Sequence, residues 1–169
     1  VHKANVVRAT DGLFLETAKA VAKDFPGIAM DDANIDAMTM WLLKNPFNYD
    51  VLVAPNLYGD IISDLCAQMV GGLGFGCSGN IGDTLAVFEP THGSAPKYAG
   101  QYKVNPIATL LAARMMLDWL GETETGARLE KAVAAVIGEG RVRTYDMGGS
   151  AKTLDMANAV AAHLGMAGA

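Results

Sequence analysis

Asp50-Val51-Leu52-Val53-Ala54-Pro55-Asn56-Leu57-Tyr58-Gly59-Asp60-Ile61-Ile62-Ser63-Asp64-Leu65-Cys66-Ala67-Gln68-Met69 is the stretch that decides the fold class. Its first five residues form an apolar run of the kind found in strands buried on both faces, and Leu57–Met69 carries apolar residues at helical spacing. A strand leading directly into a helix is one unit of an α/β fold. The same unit precedes it twice. Val1–Val7 is β-rich, Asp11-Gly12 makes a turn, and Leu13–Phe25 has helical period through Leu13, Leu15, Ala18, Val21 and Ala22. Pro26-Gly27 breaks that helix, Ile28–Met30 is a short strand, and Asp32 or Asn34 caps a helix that runs through Ala37, Met38, Trp41 and Leu42 to about Lys44, before Asn45-Pro46.

Downstream the pattern changes. Gly71–Gly82 holds six glycines in a dozen positions, which predicts a loop, with a strand at Thr84–Phe88 after it. This is the expected boundary between residues 1–70 and 71–169. A polar loop (Glu89–Lys103) follows, then helices from Pro106 to Leu120 and from Thr125 to Ile137. An extended piece at Arg141–Tyr145, a Gly148-Gly149 turn and a last helix from Ser150 to Leu164 complete the chain.

The bulk composition excludes several functions. The 169 residues are 51% hydrophobic and 18% charged, enough to bury a sizeable core. A net charge of −5 and a pI near 5.1, with no clustered basic face, argue against a nucleic acid partner. No apolar run approaches the ~18 residues of a membrane span, so no membrane partner is expected. Cys66 and Cys77 form neither a CxxC pair nor a zinc spacing, which fits a reducing, cytoplasmic setting. Val1 opens a strand already under way, without an initiating Met, and a truncated chain is the expectation.

Asp60 and Asp64 stand four apart after the apolar run, hence on one helical face. Like charges at that spacing repel, and a hard divalent cation such as Mg²⁺ or Mn²⁺ would remove the cost while leaving positions for substrate. Spacing alone leaves an ordinary exposed acidic face open as well. Asp36, in Ala33-Asn34-Ile35-Asp36-Ala37-Met38, is a third acid that can complete a ligand set or simply sit near a helix start. Lys3, flanked by His2 and Asn5, is either a lysine reaching solvent or, near a metal, a group that exchanges protons with a substrate hydroxyl. In Glu89-Pro90-Thr91-His92-Gly93-Ser94-Ala95-Pro96-Lys97-Tyr98, Gly93 and Ser94 allow backbone N–H groups near a phosphate, with a short helix behind them. Gly74-Phe75-Gly76-Cys77-Ser78-Gly79 matches G-x-G-x-x-G but lacks the strand, helix and later acid that a Rossmann site requires.

Taken together, Val1–Val6, Asn34–Met38, Asn56–Asp64, Phe88–Pro96, Lys103-Val104-Asn105-Pro106 and Asp146-Met147-Gly148-Gly149 resemble the isocitrate/isopropylmalate dehydrogenase family over nearly the whole chain. The resemblance implies a partial fold of that α/β type, with non-Rossmann dinucleotide binding and the family's N-terminal half absent. Residues 1–70 would belong to the small dimerisation and metal-site domain, and 71–169 to the large cofactor-binding domain. It implies oxidation of a 2-hydroxy acid at C2 followed by loss of CO2, with isocitrate the best match through His2, Leu57-Tyr58 and Lys97-Tyr98. Isopropylmalate, homoisocitrate or tartrate/malate dehydrogenases, or a noncatalytic dimerising subunit or fragment, are the alternatives.

By the same resemblance Lys3 is the catalytic lysine and, with Asp36, touches substrate. Asp36, Asp60 and Asp64 hold Mg²⁺ or Mn²⁺, and Lys3 and Asp36 cross over within a homodimer. Asn5, Glu89, His92, Gly93, Ser94, Ala95, Pro96, Lys97, Tyr98, Val104, Asn105 and Tyr145 surround the dinucleotide. Lys97, Tyr98, Val104 and Tyr145 follow the NADP-type pattern rather than the NAD-type. Gly149 departs from it, standing where NADP-type members have an arginine. The arginine cluster that fixes substrate choice lies in the family's other half, so this chain alone is expected to turn over no substrate.

Overall fold

The computed structural model describes residues 1–165, which divide into two compact units, Val1–Met69 and Val70 onward. In the first unit, helices α1 (Thr10–Ala22), α2 (Ile35–Lys44) and α3 (Asn56–Met69) are joined by extended segments and one short turn of 3-10 helix at Pro46–Asn48. α2 packs on α3 because Met38 and Leu42, four apart, meet Ile62, with Leu65, Cys66, Ile35 and Leu52 closing around them. Asn34 is the residue before α2, as expected, but its side chain makes no capping bond and its Oδ1 is buried without a partner.

The three expected strands of this unit do not form a sheet. Val1–Val7 contributes only a parallel bridge from His2 to Asn34, with His2 N–H on the Ala33 carbonyl (3.0 Å), before it coils into turns. Ile28–Met30 and Asp50–Ala54 join no ladder; the Val1 ammonium donates to the Val53 carbonyl at 2.7 Å, yet Val51 and Val53 are 82% and 64% exposed. A strand buried on both faces needs a paired neighbour at each edge and a cover on each face, and among the described residues Val51–Val53 has only that single bond. α1 begins three residues earlier than its apolar period suggests, and Lys23–Phe25 continue it only as tight turns.

The second unit is built on an antiparallel pair, β1 (Cys77–Ile81) and β2 (Ala86–Pro90), with Cys77 opposite Pro90 and Ile81 opposite Ala86. The glycine-rich segment is therefore half strand, and the strand expected at Thr84–Phe88 lies two residues later. Gly79 explains why a glycine sits inside β1. A Cβ there would stand 3.2 Å from the Phe88 ring packed across it. α4 (Ile107–Trp119) lies on this pair, α5 (Thr123–Glu139) on α4, and α6 (Thr153–His163) on α5. Leu129, Ala132, Val133 and Val136 recur at i, i+3, i+4 and i+7 and meet Ile107, Met156 and Val160 to form the core. α6 starts beyond Ser150, with Asp155 accepting the Lys152 N–H at 2.8 Å, because Arg143 and Thr144 hold Ala151 and Gly149 in the preceding turn. Arg141–Tyr145 is irregular and ends in a 3-10 turn at Tyr145–Met147. Among the described residues no helix is long and apolar enough to cross a membrane.

Candidate active site

In the first unit the chain folds back so that Lys3 meets the start of α2. Lys3 Nζ donates to Asp36 Oδ1 at 2.6 Å, and that hydrogen bond holds the Asp36 carboxyl below its usual pKa. The Lys3 side chain is 22% exposed and Asp36 is open to solvent. Asn5 is exposed in the turn after Lys3. His2 is buried behind the lysine. Its Nδ1 accepts the Ala4 N–H (3.0 Å), so the proton sits on Nε2, which donates to Asp32 at 2.9 Å. Asp32 in turn pairs with Lys19 at 3.0 Å, and the His2 and Lys19 contacts, in that order, lower its pKa.

Asp60 and Asp64 lie one turn apart on α3, both exposed, and neither has an ion-pair partner among the described residues. Asn56 Nδ2 reaches Asp60 at 3.4 Å. Asp36 does not join them, for it is committed to Lys3, and no group of three metal-ligating side chains forms among the described residues. Within one chain, then, the site consists of a lysine–carboxylate pair and a separate pair of open carboxylates. Two exposed carboxylates without a cation are a fitting donor set for a hard divalent ion.

In the second unit Glu89 lies on β2 rather than in a loop, accepting from Asn80 at 3.4 Å. Beyond it Ala95 adopts a left-handed backbone (φ 44°), and Pro96–Tyr98 is a single 3-10 turn. A turn that short offers no helix dipole, so the expected positive helix end is absent. Gly93 and Ser94 are exposed beside it. His92 Nδ1 donates to the Gly93 carbonyl at 2.9 Å, which makes Nε2 an acceptor; Nε2 is buried with no partner. An orphaned buried acceptor is what a bound molecule with a donor would satisfy, and the loop fits the dinucleotide in that respect.

Tyr98 and Tyr145 stack obliquely with ring centroids 5.6 Å apart. Lys97 Nζ sits 4.9 Å from the Tyr98 ring, and Lys103 Nζ lies 5.2 Å from Tyr98 and 4.8 Å from Tyr145. Lys97 pulls the Tyr98 phenol below its ordinary pKa, while burial, then Tyr98, pushes Tyr145 above it. Two ammonium groups and two hydroxyls converge here on one surface. Val104 presents its carbonyl to Thr153 Oγ1 at 2.5 Å. Asn105 is 2% exposed, and its side chain is spent on the protein: Oδ1 accepts the Ile107 N–H (3.0 Å) and Nδ2 donates to Asp146 (3.0 Å), which also accepts from Thr144. Asn105 is thus a buried support of this turn, its side chain fully used within the protein.

Three residues of these sites have no role in the sequence reading. Lys103 and Asp146 stand inside quoted motifs, and Asp11 passes there as a turn residue, although it accepts the Lys3 N–H at 2.6 Å. The Gly74–Gly79 decoy also has a packing explanation. β1, not a helix, continues from it, and a Cβ on Gly74 would lie 2.3 Å from Asp146 Oδ2.

The class to which this α/β architecture belongs is made concrete by comparison with known proteins. Residues 1–160 match the model of the isocitrate/isopropylmalate dehydrogenases. The isocitrate/homoisocitrate dehydrogenase of Thermus thermophilus is 55% identical over 159 residues, 94% of this chain and 47% of that protein. Isocitrate dehydrogenase (NAD) catalytic subunit 5 of Arabidopsis thaliana is 49% identical over 97% of this chain and 44% of its own length. The 3-isopropylmalate dehydrogenase of Archaeoglobus fulgidus is 48% identical over 97% and 50%. The crystal structure of isocitrate dehydrogenase from Methylococcus capsulatus superposes with a TM-score of 0.89 at 44% identity, covering 96% of this chain and 49% of that one. The chain belongs to the isocitrate/isopropylmalate dehydrogenase family, whose members are decarboxylating dehydrogenases. It spans about half the length of the curated relatives it matches.

Proposed function

We propose that this chain forms part of a homodimeric isocitrate dehydrogenase that oxidises isocitrate at C2 and releases CO2 to give 2-oxoglutarate. The observation that carries the reading is that Asp36, paired with Lys3, does not group with Asp60 and Asp64 into a three-ligand set within one chain among the described residues. Each set is half of a site, and a two-fold dimer brings the lysine half of one subunit to the carboxylate half of the other. In this reading residues 1–70 dimerise and hold metal, and the later residues hold the dinucleotide.

When bound, a Mg²⁺ or Mn²⁺ ion held by Asp60, Asp64 and the second subunit's Asp36 supplies positive charge at the substrate hydroxyl, and the dinucleotide supplies the hydride acceptor. Lys3, as its neutral amine, would take the hydroxyl proton as the carbonyl forms, and Asp36 would hold the ammonium that results. His92 and the Gly93–Ala95 backbone meet the adenosine and its phosphates, Val104 and Asn105 flank them, and Asn5 and Glu89 face the nicotinamide. Lys97, Lys103, Tyr98 and Tyr145 favour the 2′-phosphorylated form, NADP, over NAD. Relatives with NAD in their names make NAD the second cofactor to test, and the Thermus relative makes homoisocitrate the second substrate.

The test joins this chain to the part of the Thermus protein that it does not match and measures CO2 release and dinucleotide reduction with isocitrate, homoisocitrate, 3-isopropylmalate and malate. The same join made with the matching segment of the Archaeoglobus 3-isopropylmalate dehydrogenase is the control. The expected result is one CO2 released per dinucleotide reduced with isocitrate as substrate. A folded joined protein without turnover, while the control turns over, refutes the reading.

A further inference from the structure

Asp11 is the buried acid that the mechanism above does not use. It is 6% exposed, and no cation pairs with it among the described residues. A carboxylate so placed must be satisfied by neutral donors. Oδ2 accepts the Lys3 backbone N–H at 2.6 Å and Oδ1 the Thr10 hydroxyl at 3.3 Å. The Lys3 carbonyl meanwhile accepts from Val6 (3.0 Å) and Val7 (2.8 Å). Both peptide groups of Lys3 are therefore fixed, and only its side-chain torsions decide where Nζ goes.

We propose that Asp11 is the positioning residue of Lys3: its buried carboxylate anchors the Lys3 peptide and so fixes the backbone from which the side chain reaches Asp36. The proposal rests on Lys3 being the proton-transfer group. An Asn of the same size keeps an acceptor for the Lys3 N–H but removes the charge, so the charge-assisted bond weakens to an ordinary one. A Lys3 peptide released in this way can move, and a shift on the order of 1 Å at a reacting group costs about a hundredfold in rate.

The first arm of the test uses the chain itself. In a pH titration by NMR, the Lys3 amide proton is expected to lie far downfield and to follow the ionisation of Asp11, and D11E keeps that coupling. The second arm uses the joined enzyme. D11N is expected to lower kcat about 10- to 100-fold with the isocitrate KM within about twofold, and to move the pH–rate profile, while D11E recovers most of the rate. A structural role alone would lower the active fraction and leave the pH profile in place, which overturns the proposal. So does a Lys3 amide blind to Asp11. If D11N fails to fold, the wild-type titration and D11E decide. Loss of turnover in K3M with an uncoupled amide sinks this proposal alone; full turnover in K3M sinks the catalytic reading of Lys3 and the proposal with it.

Discussion

Gly74→Ala tests whether the cofactor-side loop is built by packing around Asp146 or by a phosphate-binding glycine turn. The new Cβ would stand 2.3 Å from Asp146 Oδ2 and 3.1 Å from both Asn105 Cβ and Nδ2. Asp146 is the acceptor of the Asn105 amide at 3.0 Å, so it has to leave a charge-assisted hydrogen bond worth about 1.5–3 kcal/mol. Crowding against Asn105 Cβ adds roughly 1–3 kcal/mol, and the lower entropy of an unfolded alanine returns ~0.4–1 kcal/mol. Because the two penalties share atoms, the net cost is roughly 2–4 kcal/mol. The assay is urea unfolding of the second unit, followed by Trp119 fluorescence in a W41F background, since Trp41 belongs to the other unit. In a D146A background only the crowding against Asn105 remains, and the same Gly74→Ala change should cost about 1.5–3 kcal/mol less than in wild type, the share of the lost hydrogen bond. Equal costs with and without the Asp146 side chain would refute the reasoning.

Two further outcomes follow from the site chemistry. K97M should lower the kcat/KM preference for NADP over NAD about tenfold, and more steeply at low salt, because one of two ammonium groups beside Tyr98 is gone; an unchanged ratio contradicts the anion-site reading. His163 has its pKa raised by the Ala159 carbonyl and then by Glu139 at 2.9 Å. Its contribution is thus complete below the unfolded value near 6.5 and is lost as pH rises through the higher folded value. The urea midpoint of wild type should exceed that of H163Q near pH 6, and the gap should shrink as pH rises through the higher folded value; a gap that widens with pH refutes the assignment.

The helices were legible wherever an apolar face repeats. Met38 and Leu42 in α2 and Leu129 to Val136 in α5 bury the residues that their spacing selects. The extended segments were not, because a strand is defined by its neighbours. Val51–Ala54 has the composition of a buried strand, but among the described residues its one main-chain partner is the Val1 ammonium on the Val53 carbonyl, so it joins no ladder. β1 was hidden for the opposite reason, since Gly79 reads as loop until Phe88 is seen across from it. The chemistry-bearing residues stood out by type and motif, whereas their supports did not. Asp11 and Asp146 act through contacts with Lys3 and Asn105, 8 and 41 residues away, that no local pattern reports. Lys103 likewise joins Tyr98 and Tyr145 only in three dimensions.

The central claim is that each active site takes Lys3 from one subunit and Asp60 and Asp64 from the other, and subunit mixing tests it directly. Joined proteins carrying K3M and D60N/D64N are each expected to lose about a hundredfold or more in kcat as homodimers. Co-refolded in equal amounts, half the dimers are mixed and each has one site with all its groups intact, so about a quarter of wild-type turnover should return. If the mixture stays as inactive as its parents although mixed dimers form, Lys3 and the two aspartates serve the same subunit's site and the account is wrong.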